Sequence, residues 1–270
     1  IVIILMLFTK FAQANSEIKI GLLAPFSGEF ASIGKSVFSS ARIALNKINN
    51  NMISILPRDT KGNNFETLKR VEELYVEGVR IFIGPVFNKN LKGLEKFQDA
   101  YFLSLTNKIL NNPKNVISVG INARSQFNAI KKYQKLNDLT ETLILIPKKD
   151  YKQEIEQAIK ETKFRAKKVF YYDTKPTELT KQIEKVTKYQ IRKQNLEDEI
   201  KRIKNSNEQN KEKKIKRLEK RYTLGGLNFD AVVIADFDES LKSVSTSLLY
   251  TDVLPKNKYF ITLNQWFDES

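Results

Sequence analysis

The chain of 270 residues has no cysteine and no histidine. The first absence removes disulfides, thiolate nucleophiles and sulfur ligands for metals. The second removes every Ser-His-Asp mechanism, and together they remove most zinc sites. Carboxylate chemistry stays open. A third thing is missing at the start, where the sequence shows neither an initiator Met nor a basic segment ahead of its apolar run "IVIILMLF" (1–8). That run is too short to span a membrane. "FAQANSE" (11–17) follows, with Ala12-Gln13-Ala14 as a small-x-small cleavage site. Residues 1–14 therefore read as part of a signal peptide, with the exported chain beginning near Asn15 and not membrane-spanning after cleavage. No cysteine follows the cut to take a lipid anchor, so the expected location is the periplasm.

What the chain does have is hydrophobic content, at 41 %, and a formal charge of +15. An excess of that size can signal nucleic acid or an anionic surface, but its distribution argues otherwise. Residues 175 to 222 carry sixteen Lys/Arg against eight Asp/Glu, about half of the whole excess. The charge belongs to one segment, and nucleic acid is not an expected partner.

The stretch "SGEFASIGKS" (27–36) ends like a phosphate-binding loop. That loop needs G-x-x-x-x-G-K-[ST], so that successive backbone N–H groups curl around the phosphates. The first glycine would have to stand at position 29, where the chain has Glu29; Gly28 is one residue too early. A carboxylate there repels phosphate, and no nucleotide or other cofactor is expected.

Elsewhere short apolar runs alternate with helical patterns. Strands are expected at 17–24, 53–57, 79–84, 101–105, 116–120, 142–146, 168–172, 230–235 and 258–263, as continuous apolar runs suited to burial on both faces of a parallel sheet. Helices are expected over 32–48, with Ile33, Val37, Ala41, Ala44 and Ile48 on one face, over 65–77 with Phe65, Leu68, Val71 and Tyr75, and over 151–163 with Ile155, Ala158 and Ile159. Such alternation implies right-handed βαβ units and an α/β fold with parallel sheets flanked by helices. Nine strands suggest two lobes, 15–122 and 123–270. The segment 177–222 interrupts the rhythm. Ile183, Val186, Ile191, Leu196, Ile200 and Ile203, then Ile215, Leu218 and Tyr222, trace an inserted antiparallel helical hairpin lying outside the core.

Several stretches carry a family resemblance. "KIGLLAPFSGEFASIGKSVFSSARIALNKIN", "VRIFIGPVFNKN" and "LILIPKKDYKQEI" resemble type I periplasmic binding proteins of the leucine/amide-binding kind. In such proteins the Gly-Lys-Ser would sit inside the first helix. "FLSLTNKILNNPKNVISVGI", the basic hairpin, "TLGGLNFDAVVIADFDESLKSVSTSLLYTDVLP" and "ITLNQWFDES" resemble more narrowly the bacterial penicillin-binding protein activator family. The resemblance implies a two-lobed fold with a further C-terminal part returning to the first lobe, so that this sequence would be C-terminally incomplete. It also implies a noncatalytic regulator of peptidoglycan synthesis whose partner is a penicillin-binding protein. The alternative it leaves open is the solute-binding component of an ABC importer, with an ABC permease as partner and an amino acid or similar small polar molecule as ligand.

Open α/β folds hold ligands beyond the carboxyl ends of their strands. The candidate crevice residues are therefore Phe26, Ser27, Phe30, Asn88, Thr106 and Asn107 from the first lobe, and Tyr151, Asp236 and Trp266 from the second. The loop after Gly84-Pro85 reads "VFNKN", without the Ser or Thr expected of amino-acid binders. Asp236 and Asp238 read as surface acids rather than an acid/base pair, so no enzyme is expected. For contact with a partner the hairpin offers Lys201, Arg202, Lys213, Lys214 and Arg217.

Overall fold

The structure is a computed structural model that describes residues 17–263. Residues 1–14, expected to be a signal peptide, and Trp266 lie outside the described residues. The chain divides into two compact units. The first runs to Asn107 and includes Asn111–Gly120; the second holds Lys108–Leu110 and the chain from Ile121 onward.

The first unit is a five-stranded sheet in the order β2-β1-β3-β4-β5. Its strands are β1 (Ile18–Ala24), β2 (Ile53–Asp59), β3 (Ile81–Ile83), β4 (Tyr101–Ser104) and β5 (Val116–Ser118), and all neighbours pair in parallel. β1 is interior, with β2 on one side and β3 on the other. Helix α1 (Ala31–Ile48) follows β1 and α2 (Asn64–Val76) follows β2. The Gly-Lys-Ser triplet does lie within α1, and Gly34 is there because the helix crosses Pro25: a Cβ on Gly34 would stand 2.0 Å from the Pro25 carbonyl oxygen. Asn63 caps α2 by accepting from the Glu66 N–H, which satisfies one of the unpaired donors of the first turn.

One face of this sheet is packed. Leu23, Phe82, Phe102 and Val116 meet Val71 and Leu74 of α2 and Leu91, Leu94 and Phe97 of two short 3-10 turns. The opposite face is only partly covered: Ile81, Tyr101, Ile117 and Val119 are 40 %, 57 %, 49 % and 49 % exposed. The expectation of burial on both faces holds for β1, where Leu22, Leu23 and Ala24 are all fully buried, and fails for β3, β4 and β5. The stripe expected to seat α1 is also corrected, since Ile33 and Ile48 are exposed and Gly34 is the one buried residue of the helix.

The second unit has a four-stranded parallel sheet, β7-β6-β8-β9, made of β6 (Thr142–Pro147), β7 (Lys168–Tyr172), β8 (Ala231–Ile234) and β9 (Tyr259–Thr262). Here both faces are covered. Ile144, Ile146 and Val233 pack on Phe127 and Ile130 of α3 (Ala123–Leu136) and Ile155 and Ala158 of α4 (Lys152–Glu161). Leu143, Leu145, Val232 and Ile234 pack on Leu179, Ile183 and Val186 of α5 (Pro176–Thr187) and Val244 and Leu248 of α8 (Asp238–Tyr250).

The last contact revises the inserted hairpin. Its first part, α5, is a core helix of the unit rather than a protrusion, because Leu179 and Ile183 are fully enclosed against the sheet. The hairpin proper is α6 (Tyr189–Lys204) with α7 (Lys211–Leu218). It is zipped by its own small cluster, Leu196, Ile203 and Leu218 with Ile200 and Ile215 alongside. Among the described residues no helix is long and apolar enough to cross a membrane.

Candidate functional site

Each sheet presents a set of polar groups at the carboxyl ends of its strands, and in both units these groups are largely engaged with one another. In the first unit the organiser is Asp59, the last residue of β2. It accepts hydrogen bonds from the Phe26 N–H at 2.8 Å, the Ser27 hydroxyl at 2.5 Å and the Lys61 N–H at 2.9 Å. Burial raises its carboxyl pKa, but the Ser27 hydroxyl and these backbone donors outweigh that and hold it below the usual range. Ser27 is thus committed to shaping the β1–α1 turn.

Phe30 lies against Phe87, with ring centroids 4.7 Å apart, and the Lys89 ammonium stands 5.8 and 5.5 Å from the two ring centres. Asn88 donates to Asn112 at 3.3 Å. It lines a cleft of about 900 Å³ shared with Lys89, Lys92, Gln98 and Asn115. The Asn115 amide donates to the Leu94 and Phe97 carbonyls at 2.9 and 3.0 Å, while its buried Oδ1 has no hydrogen-bond partner among the described residues. Thr106 and Asn107 are buried. The Thr106 carbonyl accepts from Ser118 at 2.6 Å, and the Asn107 Oδ1 has no hydrogen-bond partner among the described residues.

In the second unit Asp236 is fully enclosed, at 0 % exposure, not the surface acid that its spacing from Asp238 suggested. Its Oδ1 accepts from Lys149 Nζ at 2.8 Å, Tyr151 OH at 2.8 Å, Ser240 Oγ at 2.5 Å and its neighbour's N–H, that of Phe237, at 2.8 Å. Its Oδ2 accepts from Tyr172 OH at 2.6 Å. Four elements converge here: the ends of β6, β7 and β8 and the first turn of α8. Burial pushes the Asp236 pKa up, but the donors from Lys149, Ser240, Tyr172 and Phe237 N–H prevail and leave it below the ordinary carboxylate value. Burial, then the Asp236 charge, raises both tyrosine hydroxyls. A carboxylate with five donors on it is held ionised. At 0 % exposure its remaining Oδ2 lone pair is shut away from solvent, out of reach of a ligand's ammonium group or of general-base work. Asp238 is exposed at the start of α8.

Sequence reasoning named Tyr151 and Asp236 and missed Lys149, Tyr172 and Ser240, as it missed Asp59 beside Ser27. Asp59, Lys149 and Tyr172 also stand at strand carboxyl ends, so the same rule would have found them had it been applied to every strand.

The hairpin cations divide. Arg202 pairs with Glu199 and Glu208, each at 2.8 Å, and Lys214 pairs with Glu208 at 2.6 Å. Lys201, Lys213 and Arg217 are exposed. No group of three metal-ligating side chains occurs among the described residues.

The sequence of residues 17–186 matches the family model described as periplasmic binding protein. No curated protein matches the sequence. Among solved structures, the fold is similar to the C-domain of LpoA (YraM) from Haemophilus influenzae, whose title calls it a regulator of PBP1A. The two are 17 % identical with a TM-score of 0.56 over 90 % of this chain and 64 % of that one. Full-length LpoA of the same organism gives 16 % and 0.55, over 91 % and 38 %. The periplasmic ligand-binding protein of a branched-chain amino acid ABC transporter from Burkholderia xenovorans gives 9 % and 0.53, over 92 % and 61 %. The chain thus spans less than two thirds of each of these structures.

Proposed function

We propose that this chain, which belongs to the periplasmic binding protein family, is a noncatalytic regulatory protein of the periplasm that promotes peptidoglycan synthesis by contact with a penicillin-binding protein. The observation that carries this reading is the closed knot around Asp236. In a solute binder the polar groups at the strand ends must stay free, or exchange water cheaply, so that a ligand finds unpaired partners. Here the fully enclosed Asp236 carboxylate of the second unit is engaged by Lys149, Tyr151, Tyr172, Ser240 and the Phe237 N–H. Ser27 is likewise spent on Asp59. Seating a zwitterion would require breaking several charge-assisted bonds. The similarity to a regulator of PBP1A supports the same reading.

Catalysis has little to work with, because the chain lacks histidine and cysteine and its best-placed carboxylate is locked. Contact through surface charge fits better: the hairpin presents Lys201, Lys213 and Arg217 without drawing on either sheet's core. Charges so placed act mainly on association rate and salt dependence.

A second reading, a solute-binding component of an ABC importer, is favoured by one observation, the polar cleft beside Asn88 with the unpartnered Asn115 Oδ1. Two measurements decide between them. Surface plasmon resonance against a purified penicillin-binding protein should give saturable, salt-sensitive binding. Calorimetry with leucine, valine and polar amino acids should give no heat of binding. Tight amino-acid binding with no response to the penicillin-binding protein would reverse the order.

A further inference from the structure

About half of the chain's excess charge lies in the segment around the hairpin, and part of it is tied down within the hairpin. Arg202 and Lys214 are tied to Glu199 and Glu208. Further cations without a carboxylate partner stand at the base, around a cleft of about 640 Å³ between the chain leaving α7 and the loop after α8. Lys220 and Arg221 stand on one side and Lys256 on the other. All three are exposed, and none forms an ion pair among the described residues. Lys258 also lines the cleft and is held in place by donating to the Phe229 carbonyl.

The wall behind these cations is built rather than incidental. Arg192 is 5 % exposed. It donates through Nε to the Thr187 carbonyl at 3.1 Å, through Nη1 to the Thr223 hydroxyl at 3.0 Å and through Nη2 to the Thr251 carbonyl. Thr223 in turn donates to Asp252 at 2.5 Å. This chain of bonds spends the guanidinium and the single carboxylate of the cleft on each other's surroundings, and it fixes the two strands of the wall. The rim cations are therefore left uncompensated in front of a fixed backbone. Next to them Tyr222 is 77 % exposed, and its ring stacks on no other ring among the described residues. The lining at Gly225-Gly226 carries no side chain, and a Cβ added at Gly226 would meet open space.

We infer that this cleft binds a carboxylate-bearing sugar chain. The chemistry divides among the parts. Lys220, Arg221 and Lys256 take the carboxylates, to which ammonium and guanidinium groups make charge-assisted bonds. The free face of Tyr222 takes the apolar face of a sugar ring, as exposed aromatic rings with one polar end do. The side-chain-free wall at Gly225-Gly226 leaves room for the ring itself, and a cleft of this volume suits one or two sugar units. An acidic peptide would use the cations but has no need of a bare aromatic platform beside an open glycine wall. This site does not rest on the regulatory reading; it would serve a binding protein of either kind.

The test uses the full chain with two probes, a labelled tetragalacturonate and a labelled hexaglutamate peptide, followed by fluorescence anisotropy at two salt concentrations. The sugar should bind saturably and more tightly than the peptide. Lys220→Glu with Lys256→Glu should weaken it by about tenfold or more. Lys201→Glu with Lys213→Glu at the hairpin makes the same change in net charge and should leave it within about twofold at the higher salt, because those residues do not line the cleft and salt screens their field. Tyr222→Ala should weaken the sugar about threefold to tenfold and leave the peptide unchanged. Because Tyr222 is 77 % exposed, this variant stays informative if the charge reversal disturbs folding. Equal or tighter binding of hexaglutamate, with no effect of Tyr222→Ala on the sugar, would overturn the inference in favour of an acidic-peptide site. Equal losses from the two charge reversals would overturn it in favour of a diffuse field.

Discussion

Ile144 and Leu145 are neighbours in β6 and point to opposite faces of the second sheet, and both are fully buried. Tyr101 and Phe102 are neighbours in β4 of the first sheet, and only Phe102 is. The strands of the two sheets look alike as sequence, each a short apolar run. The difference lies in what packs on them. The second sheet is sandwiched by α3 and α4 on one side and α5 and α8 on the other. The first is packed by α2 and two 3-10 turns on one side, with α1 lying over β1 and β2 on the other and Ile81, Tyr101 and Ile117 left open. An apolar strand residue therefore contributes according to the helix above it, and its hydrophobicity alone does not set its worth.

The largest effect should come from making the second sheet resemble the first. Deleting 181–220 removes Ile183 and Val186 and strips half the cover from one face. The second unit should lose cooperative unfolding in urea and bind a hydrophobic dye. Replacing only 194–222 with a short Gly-Ser loop should keep the unit folded. The Leu224 N–H donates to the Arg192 carbonyl at 2.9 Å, so the two ends of that cut already lie side by side. Loss of folding in the shorter deletion would show that the hairpin belongs to the core.

Single substitutions sharpen the same contrast. Ile144→Ala and Leu145→Ala should each cost about 2–5 kcal/mol, and Phe102→Ala about 3–5 kcal/mol, from lost burial plus the cavity left behind. Tyr101→Ala should cost less than about 1 kcal/mol, since the ring is mostly in water already. Urea titrations of the four variants would show parity in the second sheet and alternation in the first. A Tyr101 variant as damaging as the Phe102 variant would erase the distinction.

The Asp236 knot gives a pH signature to the second unit. Its folded pKa lies below the unfolded value of about 4. The stability it contributes is therefore present above about pH 4 and fades as pH falls through the folded pKa. The tyrosines work in the opposite sense. Their folded pKa values are raised, so their contribution is intact below about pH 10 and lost above it. Asp236→Asn leaves Lys149 without its counter-ion and should cost about 3 kcal/mol at pH 7. The gap between variant and native protein should narrow in acid. A gap that stayed constant from pH 7 to pH 3 would mean that the carboxylate charge does not matter.

The smallest effect belongs to the hairpin surface. Glu208→Gln frees Lys214 and leaves Arg202 its pair with Glu199; at this surface site it should change stability by less than about 1 kcal/mol, while adding to the positive field that a partner meets. Thermal unfolding checks the first part, and the salt dependence of partner association checks the second.

The nine strands were legible because a parallel strand must be apolar along a continuous run, and each run is marked off by polar residues. The cover was not. The α1 stripe Ile33, Val37, Ala41, Ala44 and Ile48 obeys helical spacing, but periodicity cannot say which helix face meets a sheet, and Ile33 and Ile48 are exposed. The helix α3 was legible in principle, since Phe127, Ile130 and Gln134 recur at steps of three and four, and it was passed over beside the more obvious patterns. In the sites, strand ends pointed to Ser27, Tyr151 and Asp236. Their partners Asp59, Lys149 and Tyr172 come from neighbouring strands, and pairing them requires the strand order, which a single sequence does not supply. Placing α5 in the hairpin failed for a related reason: Ile183 and Val186 continue the charged segment's stripe while belonging to the sheet.

The regulatory reading stands or falls on whether the chain changes the rate of a peptidoglycan synthase. The direct measurement follows glycan polymerisation by a purified penicillin-binding protein as this chain is titrated in, with and without leucine at millimolar concentration. The expected result is a saturable rise in rate that leucine leaves untouched, because Ser27 and Asp236 at the strand ends are already paired. No change in rate, together with saturable binding of an amino acid by the chain alone, would contradict the account.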